Sequence, residues 1–142
     1  MQSRSFLRES FKQDELNRFK YEGISRIDFS AQLLQSGLIC NPDVHWFCFH
    51  GNQDFGYLVK QCCFDPLPAE LQDFRNQLKM LFPNLTDLKT SLKWEFGLST
   101  LAQYYSVNRE GTEHQAGSDA LLTLKLAVKV GPTEWEGFVH DL

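Results

Sequence analysis

From Ser118 to Val130 the chain reads as a helix with hardly any polar side. Ala120, Leu121, Leu124, Ala127 and Val128 fall on one helical face, and Leu122, Leu126 and Val130 add a second. A helix apolar over so much of its circumference is expected to be largely buried, which requires packed layers around it. Ser118 reads as its N-cap and Gly131-Pro132 as its stop. The 142 residues suffice for one domain with a real core, and the twelve Phe are spread from Phe6 to Phe138. With 42% apolar residues, the composition is that of a folded domain rather than a disordered one.

The remaining periodicities place further helices around a small number of strands. Phe6, Leu7 and Phe11 recur at helical spacing and predict a first helix that ends before Gly23. A short helix fits Ser30 to Gln35, with Asp28 or Ser30 as cap and Gly37 as stop. Val44 to Phe49 is a compact β-branched and aromatic run, the best strand in the sequence, broken by Gly51 and Asn52. Phe55, Leu58, Val59 and Cys62 then mark one helical face. Leu71, Phe74, Leu78 and Leu81 mark another, which Pro83 closes. Leu85 to Leu88 reads as a weaker second strand, and Leu98 to Tyr105 as a helix. The order suits an α/β layer, although two strands are fewer than the four to six or so that sheets commonly hold.

Several function classes are excluded by composition. The net charge of −4 rules out a general electrostatic nucleic-acid binder, because phosphate neutralisation by basic side chains carries most non-specific affinity. An enzyme that grips a strand end through bound metal ions remains allowed, since the ions bring the positive charge. No run of about 18 apolar residues exists, so no membrane-spanning helix is expected, and the N-terminus lacks the continuous apolar stretch of a secretory signal. Cys40, Cys48, Cys62 and Cys63 match no zinc spacing and read as reduced, mostly buried thiols.

Chemistry-bearing residues stand out at two places. Asp54 follows the Val44–Phe49 strand at the start of the next helix, and Asp119 opens the last large helix. A carboxylate at a helix N-terminus is favoured by the dipole and the free N–H groups, whether or not it binds anything. An acid just past a strand's carboxyl end is also where α/β folds place ligand sites. His114 lies five residues before Asp119 in a polar turn, and Gly117-Ser118 permits a sharp approach that would aim both at one point. An imidazole titrating near pH ~6.5 can take a proton from water at neutral pH. His45, His50 and His140 carry no assigned role.

At these residues a resemblance becomes specific. Phe47-Cys48-Phe49-His50-Gly51-Asn52-Gln53-Asp54-Phe55-Gly56-Tyr57-Leu58-Val59-Lys60 resembles the second exonuclease block of the Caf/Pop-type deadenylases, the poly(A)-shortening subunits of the Ccr-Not complex in the DEDD exonuclease superfamily. His114-Gln115-Ala116-Gly117-Ser118-Asp119-Ala120-Leu121-Leu122-Thr123 resembles their third block, and Ser30 to Gly37 the helix ahead of the second. The likeness runs from the first helix to Val130, so residues 1–130 are expected to form one partial domain, with residues 131–142 as a tail of unclear match. It implies an α/β ribonuclease-H-like exonuclease fold, a mixed sheet flanked by helices and lacking the first strands. It implies metal-ligand roles for Asp54 and Asp119, and for His114 the role of orienting or deprotonating the attacking water. The implied cofactors are two divalent ions, Mg2+ or Mn2+. The implied partners are the 3′ end of poly(A) RNA, the Ccr-Not scaffold and a partner deadenylase, with no membrane and no DNA, in nucleus and cytoplasm.

One block has no counterpart. The family's first block is an Asp-x-Glu on a central strand, and no Asp here has Glu two positions later. Asp14-Glu15 are adjacent and cannot substitute, because only period-two spacing points both carboxylates to one face. Two divalent ions bring four positive charges, against two negative ones from Asp54 and Asp119. The expectation is therefore the later part of such an enzyme, a partial reading of a longer gene, holding at most one weakly bound ion and inactive alone. The alternatives are a non-catalytic interaction module for the Ccr-Not scaffold, or a related exonuclease with another substrate.

Overall fold

The computed structural model describes residues 12–63 and 66–135. Phe6, Leu7 and Phe11, which predict the start of the first helix, lie outside the described residues, as do residues 136–142 of the tail. The first described helix, α1 (Gln13–Glu22), ends before Gly23 as expected. Then follow α2 (Arg26–Gln35), β1 (His45–Cys48), α3 (Asn52–Cys63), α4 (Leu71–Leu81), β2 (Asn84–Asp87), α5 (Leu88–Ser91), α6 (Leu98–Tyr104), α7 (Ala116–Val130) and α8 (Pro132–Trp135).

β1 and β2 pair in parallel, with His45 opposite Asn84 and Cys48 opposite Asp87. The mixed sheet implied by the resemblance is represented among the described residues by this parallel pair. The period-two pleat gives its two faces to two separate cores. Trp46, Cys48 and Leu85 pack into a cluster with Ile39, Phe55, Val59, Cys62, Leu78, Leu81 and Phe82. Phe47 and Phe49 pack into the other, with Leu88, Leu101, Ala102, Leu122, Leu126 and Ala127. Helices α3 and α4 thus cover one face and α6 and α7 the other, in three layers. In the first cluster Trp46, Phe55 and Phe82 meet edge-on, with centroids 4.9 to 6.2 Å apart. That geometry is the one ring quadrupoles favour. Leu78 and Leu81 are the buried pair of α4, worth about 1.5–3 kcal/mol each by area removed from water.

Three local expectations are corrected. Helix α2 begins one turn earlier than the apolar pattern indicates, because Ser25 rather than Asp28 or Ser30 is its cap and accepts the Asp28 N–H at 3.1 Å. Ser30 is instead buried inside α2, donating its hydroxyl to the Arg26 and Gln61 carbonyls, both at 2.8 Å, where α2 meets α3. Helix α7 begins at Ala116 with Gln115 at its cap, so Ser118 lies within the first turn. The same helix buries only one side: Leu122, Leu126 and Ala127 are enclosed, whereas Leu121, Leu124 and Val128 are 38%, 50% and 75% exposed. Within the described residues one sheet face offers one contact surface, and it takes the stripe of Leu122 and Leu126, leaving Leu121, Leu124 and Val128 on the outer side.

Candidate functional site

The carboxyl end of the two-stranded sheet is organised by a side chain that sequence reasoning missed. Asp87, the last residue of β2, is 2% exposed. One carboxylate oxygen accepts the N–H of His50 at 2.9 Å and that of Lys89 at 2.9 Å; the other accepts the Gly51 N–H at 2.8 Å. A buried carboxylate is stable only when hydrogen-bonded in this way. It therefore caps α5 and ties the turn that leads from β1 into α3. His50 takes a left-handed φ of 61° in that turn. A Cβ at Gly51 would lie 2.6 Å from the Cys48 sulfur, so only glycine fits so close an approach. This latch fixes where α3 starts, and Asp54 lies exposed in its first turn. The carboxylates Asp87 and Asp54, after burial itself, hold the Cys48 thiol far above its usual range, so it stays protonated and is no nucleophile.

Asp119 sits in the first turn of α7 on the opposite face of the sheet from α3, 35% exposed at its side chain. Arg109, a second residue missed from the sequence, donates to the Asp119 carboxylate, to the Ser118 hydroxyl at 3.0 Å and to the Ser99 hydroxyl at 3.3 Å. Ser99 in turn donates to Glu113. These bonds tie the start of α6 to the start of α7 and bracket the loop that carries His114. His114 is exposed and has a left-handed φ of 63°. The loop is tightened at Gly111, with φ 83°. No spacing rule marks Arg109 or the latch role of Asp87, since the partners of Arg109 lie 9 or 10 residues away and the β1–α3 turn that Asp87 holds lies 36–37 residues away.

The donor types suit a hard divalent cation: carboxylate oxygens, at helix N-termini, with an imidazole in the adjoining loop. Their number does not complete one. Among the described residues no group of three or more His, Cys, Asp and Glu side chains is arranged to hold a metal ion. Asp119 already has a guanidinium against it.

No protein-family model matches the chain. It is 37% identical over 123 residues to the poly(A) ribonuclease pop2 of Schizosaccharomyces pombe, covering 84% of this chain and 37% of that protein. It is 42% identical over 107 residues to the probable CCR4-associated factor 1 homolog 10 of Arabidopsis thaliana, covering 72% and 39%. The chain thus spans under two fifths of the length of these curated relatives. Among solved structures, the Mg2+- and Mn2+-bound form of S. pombe Pop2p superposes with a TM-score of 0.68 at 34% identity, over 82% of this chain and 52% of that one. Yeast CAF1, solved with the NOT1 MIF4G domain, gives 0.66 at 29% identity over 73% and 44%. With β1, α3 and α7 in the places where the two sequence blocks require them, the chain belongs to the Pop2/CCR4-associated factor 1 family, with part of its ribonuclease-H-like fold.

Proposed function

We propose that this chain carries the second and third acidic blocks of a metal-dependent 3′-to-5′ poly(A) exoribonuclease. The observation that supports it most is Asp54, exposed at the carboxyl end of β1 on a turn locked by the buried Asp87. That is the position at which α/β folds present ligand groups. In this reading Asp54 and Asp119 hold Mg2+ or Mn2+, and His114 orients the attacking water and takes its proton. Paired divalent ions, when bound, lower the pKa of water and neutralise charge on the leaving 3′ oxygen. The chain's own part is to present two carboxylates from helices on opposite faces of one sheet, and Arg109 keeps Asp119 in place. Further acidic ligands are required, because two carboxylates balance only half the charge of two ions.

Replacing the matching stretch of S. pombe pop2 with residues 12–131 tests the proposal. The chimera should shorten a 3′-oligo(A) substrate in Mg2+, and Asp54→Ala or Asp119→Ala should each reduce the rate by at least 100-fold without unfolding it. Near-normal turnover of a folded Asp54→Ala chimera would refute the assignment. A second reading, a non-catalytic module that docks on a Ccr-Not scaffold, is supported by the likeness to the yeast CAF1 solved with the NOT1 MIF4G domain. It expects the 142-residue chain to bind a NOT1 MIF4G domain and to leave oligo(A) intact. In either reading the chain works in nucleus and cytoplasm.

A further inference from the structure

Arg109 does more than neutralise Asp119. Its side chain is 17% exposed and is held at both prongs of its fork. Nη1 donates to the Ser118 hydroxyl at 3.0 Å and to Oδ1 of Asp119, and Nη2 donates to the Ser99 hydroxyl at 3.3 Å. Ser99 donates its own O–H to Glu113 Oε1 at 2.5 Å, which leaves its oxygen to accept from the guanidinium. A Cβ at Gly111 would lie 3.2 Å from that of Ser118, so the loop after Arg109 lies close against the first turn of α7. A planar guanidinium fixed by three partners has little freedom to turn away.

The two oxygens of Asp119 are therefore not equivalent. Among the described residues Oδ1 is engaged by Arg109 and Oδ2 by nothing, and the side chain is 35% exposed. A carboxylate with both oxygens available can coordinate an ion through one or through both. Two-oxygen coordination suits a large, flexible shell: Ca2+ takes about six to eight oxygens at about 2.3–2.6 Å. Mg2+ demands a tighter octahedron at about 2.0–2.1 Å, and Mn2+ also accepts an octahedron of oxygens. We infer that Arg109 is a metal-selecting residue: by occupying Oδ1 it limits Asp119 to one-oxygen coordination and so disfavours Ca2+ against Mg2+ and Mn2+. The inference rests on the reading of Asp119 as a metal ligand, and it adds that the guanidinium beside that ligand sets which ions it accepts.

The test uses the 142-residue chain, with bound Mn2+ read by electron paramagnetic resonance and Ca2+ added as competitor. Arg109→Met removes a positive charge and so strengthens both ions; the readout is the ratio of Ca2+ to Mn2+ affinity, in which that effect cancels. The ratio should rise about five-fold as Oδ1 is freed. Arg109→Lys keeps the charge and loses the fork, and should raise the ratio less; if Arg109→Met does not fold, this variant decides alone. A merely structural role would weaken both ions in parallel and leave the ratio where it was. Asp54→Ala reports on the shared-ion reading instead. Mn2+ lost in Asp54→Ala with an unchanged ratio at Arg109 rejects the inference alone, whereas a raised ratio with Mn2+ retained in Asp54→Ala rejects the shared-ion reading alone. An unchanged ratio in the folded variants, or no binding of either ion to the wild type or to Arg109→Met, would overturn the inference.

Discussion

A carboxylate sealed from solvent is tolerated only when its oxygens are engaged, and Asp87 meets that condition with three backbone N–H groups drawn from two segments. Asp87→Ala should strand the N–H groups of His50 and Gly51 and remove the α5 cap together, costing about 3 kcal/mol or more in urea unfolding. Asp87→Asn, which keeps one acceptor, should lose less. The thiols nearby give a second residue-scale prediction. Cys40 is exposed, contrary to the expectation of mostly buried cysteines, whereas Cys62 is buried and Cys48 half-buried. Iodoacetamide should label Cys40 first and reach Cys48 and Cys62 only on unfolding, as read by mass spectrometry. Burial, then Asp87, raises the Cys48 thiol above its unfolded value. The stability that this represents is therefore complete below the unfolded thiol range, about pH 8.5, and is lost as pH rises beyond it. The urea midpoint should fall progressively above that pH, and less so in Cys48→Ala measured against its own value at pH 7. Asp54, Asp119 and His114 could be picked from the sequence because they sit in contiguous blocks. Asp87 and Arg109 could not, because their work is done on residues that only folding brings near.

At the scale of elements, apolar periodicity located the helices well and their buried sides less well. The strand at 44–49 and the helices at 71–81 and 98–105 match β1, α4 and α6 within a residue or so at each end. The start of α2 was hidden because Arg26 and Ile27 face solvent and only the Ser25 cap marks the boundary. In α7 two apolar faces compete, and periodicity alone cannot choose which meets the sheet. The structure chooses Leu122, Leu126 and Ala127. Leu126→Ala should accordingly cost about 2–5 kcal/mol. Leu124→Lys and Val128→Lys should each stay within about 0.5 kcal/mol, as surface changes do. Chemical denaturation of the three variants checks which face is buried, and a large loss at Val128 with none at Leu126 would invert the assignment.

The whole molecule has a three-layer plan around a sheet of two described strands, in a chain that spans 37% of the S. pombe relative and 52% of its solved counterpart. That plan accounts for what the sequence could and could not disclose about the site. The order of strand, acidic helix and final acidic helix was visible in the block pattern. The separation of the two acids onto helices on opposite faces of the sheet was not, since faces are decided by the pleat of β1. Net charge is −4, so any affinity of this chain for a polyanion has to come from bound cations or from local basic groups. The account rests on Asp54 and Asp119 sharing a cation. The most direct measurement is Mn2+ titration of the 142-residue chain followed by electron paramagnetic resonance, in the wild type, Asp54→Ala, Asp119→Ala and the double variant. The account predicts one weakly bound ion, lost equally in either single variant, with no further loss in the double. Binding that survives Asp54→Ala unchanged, or losses that add independently, would contradict it.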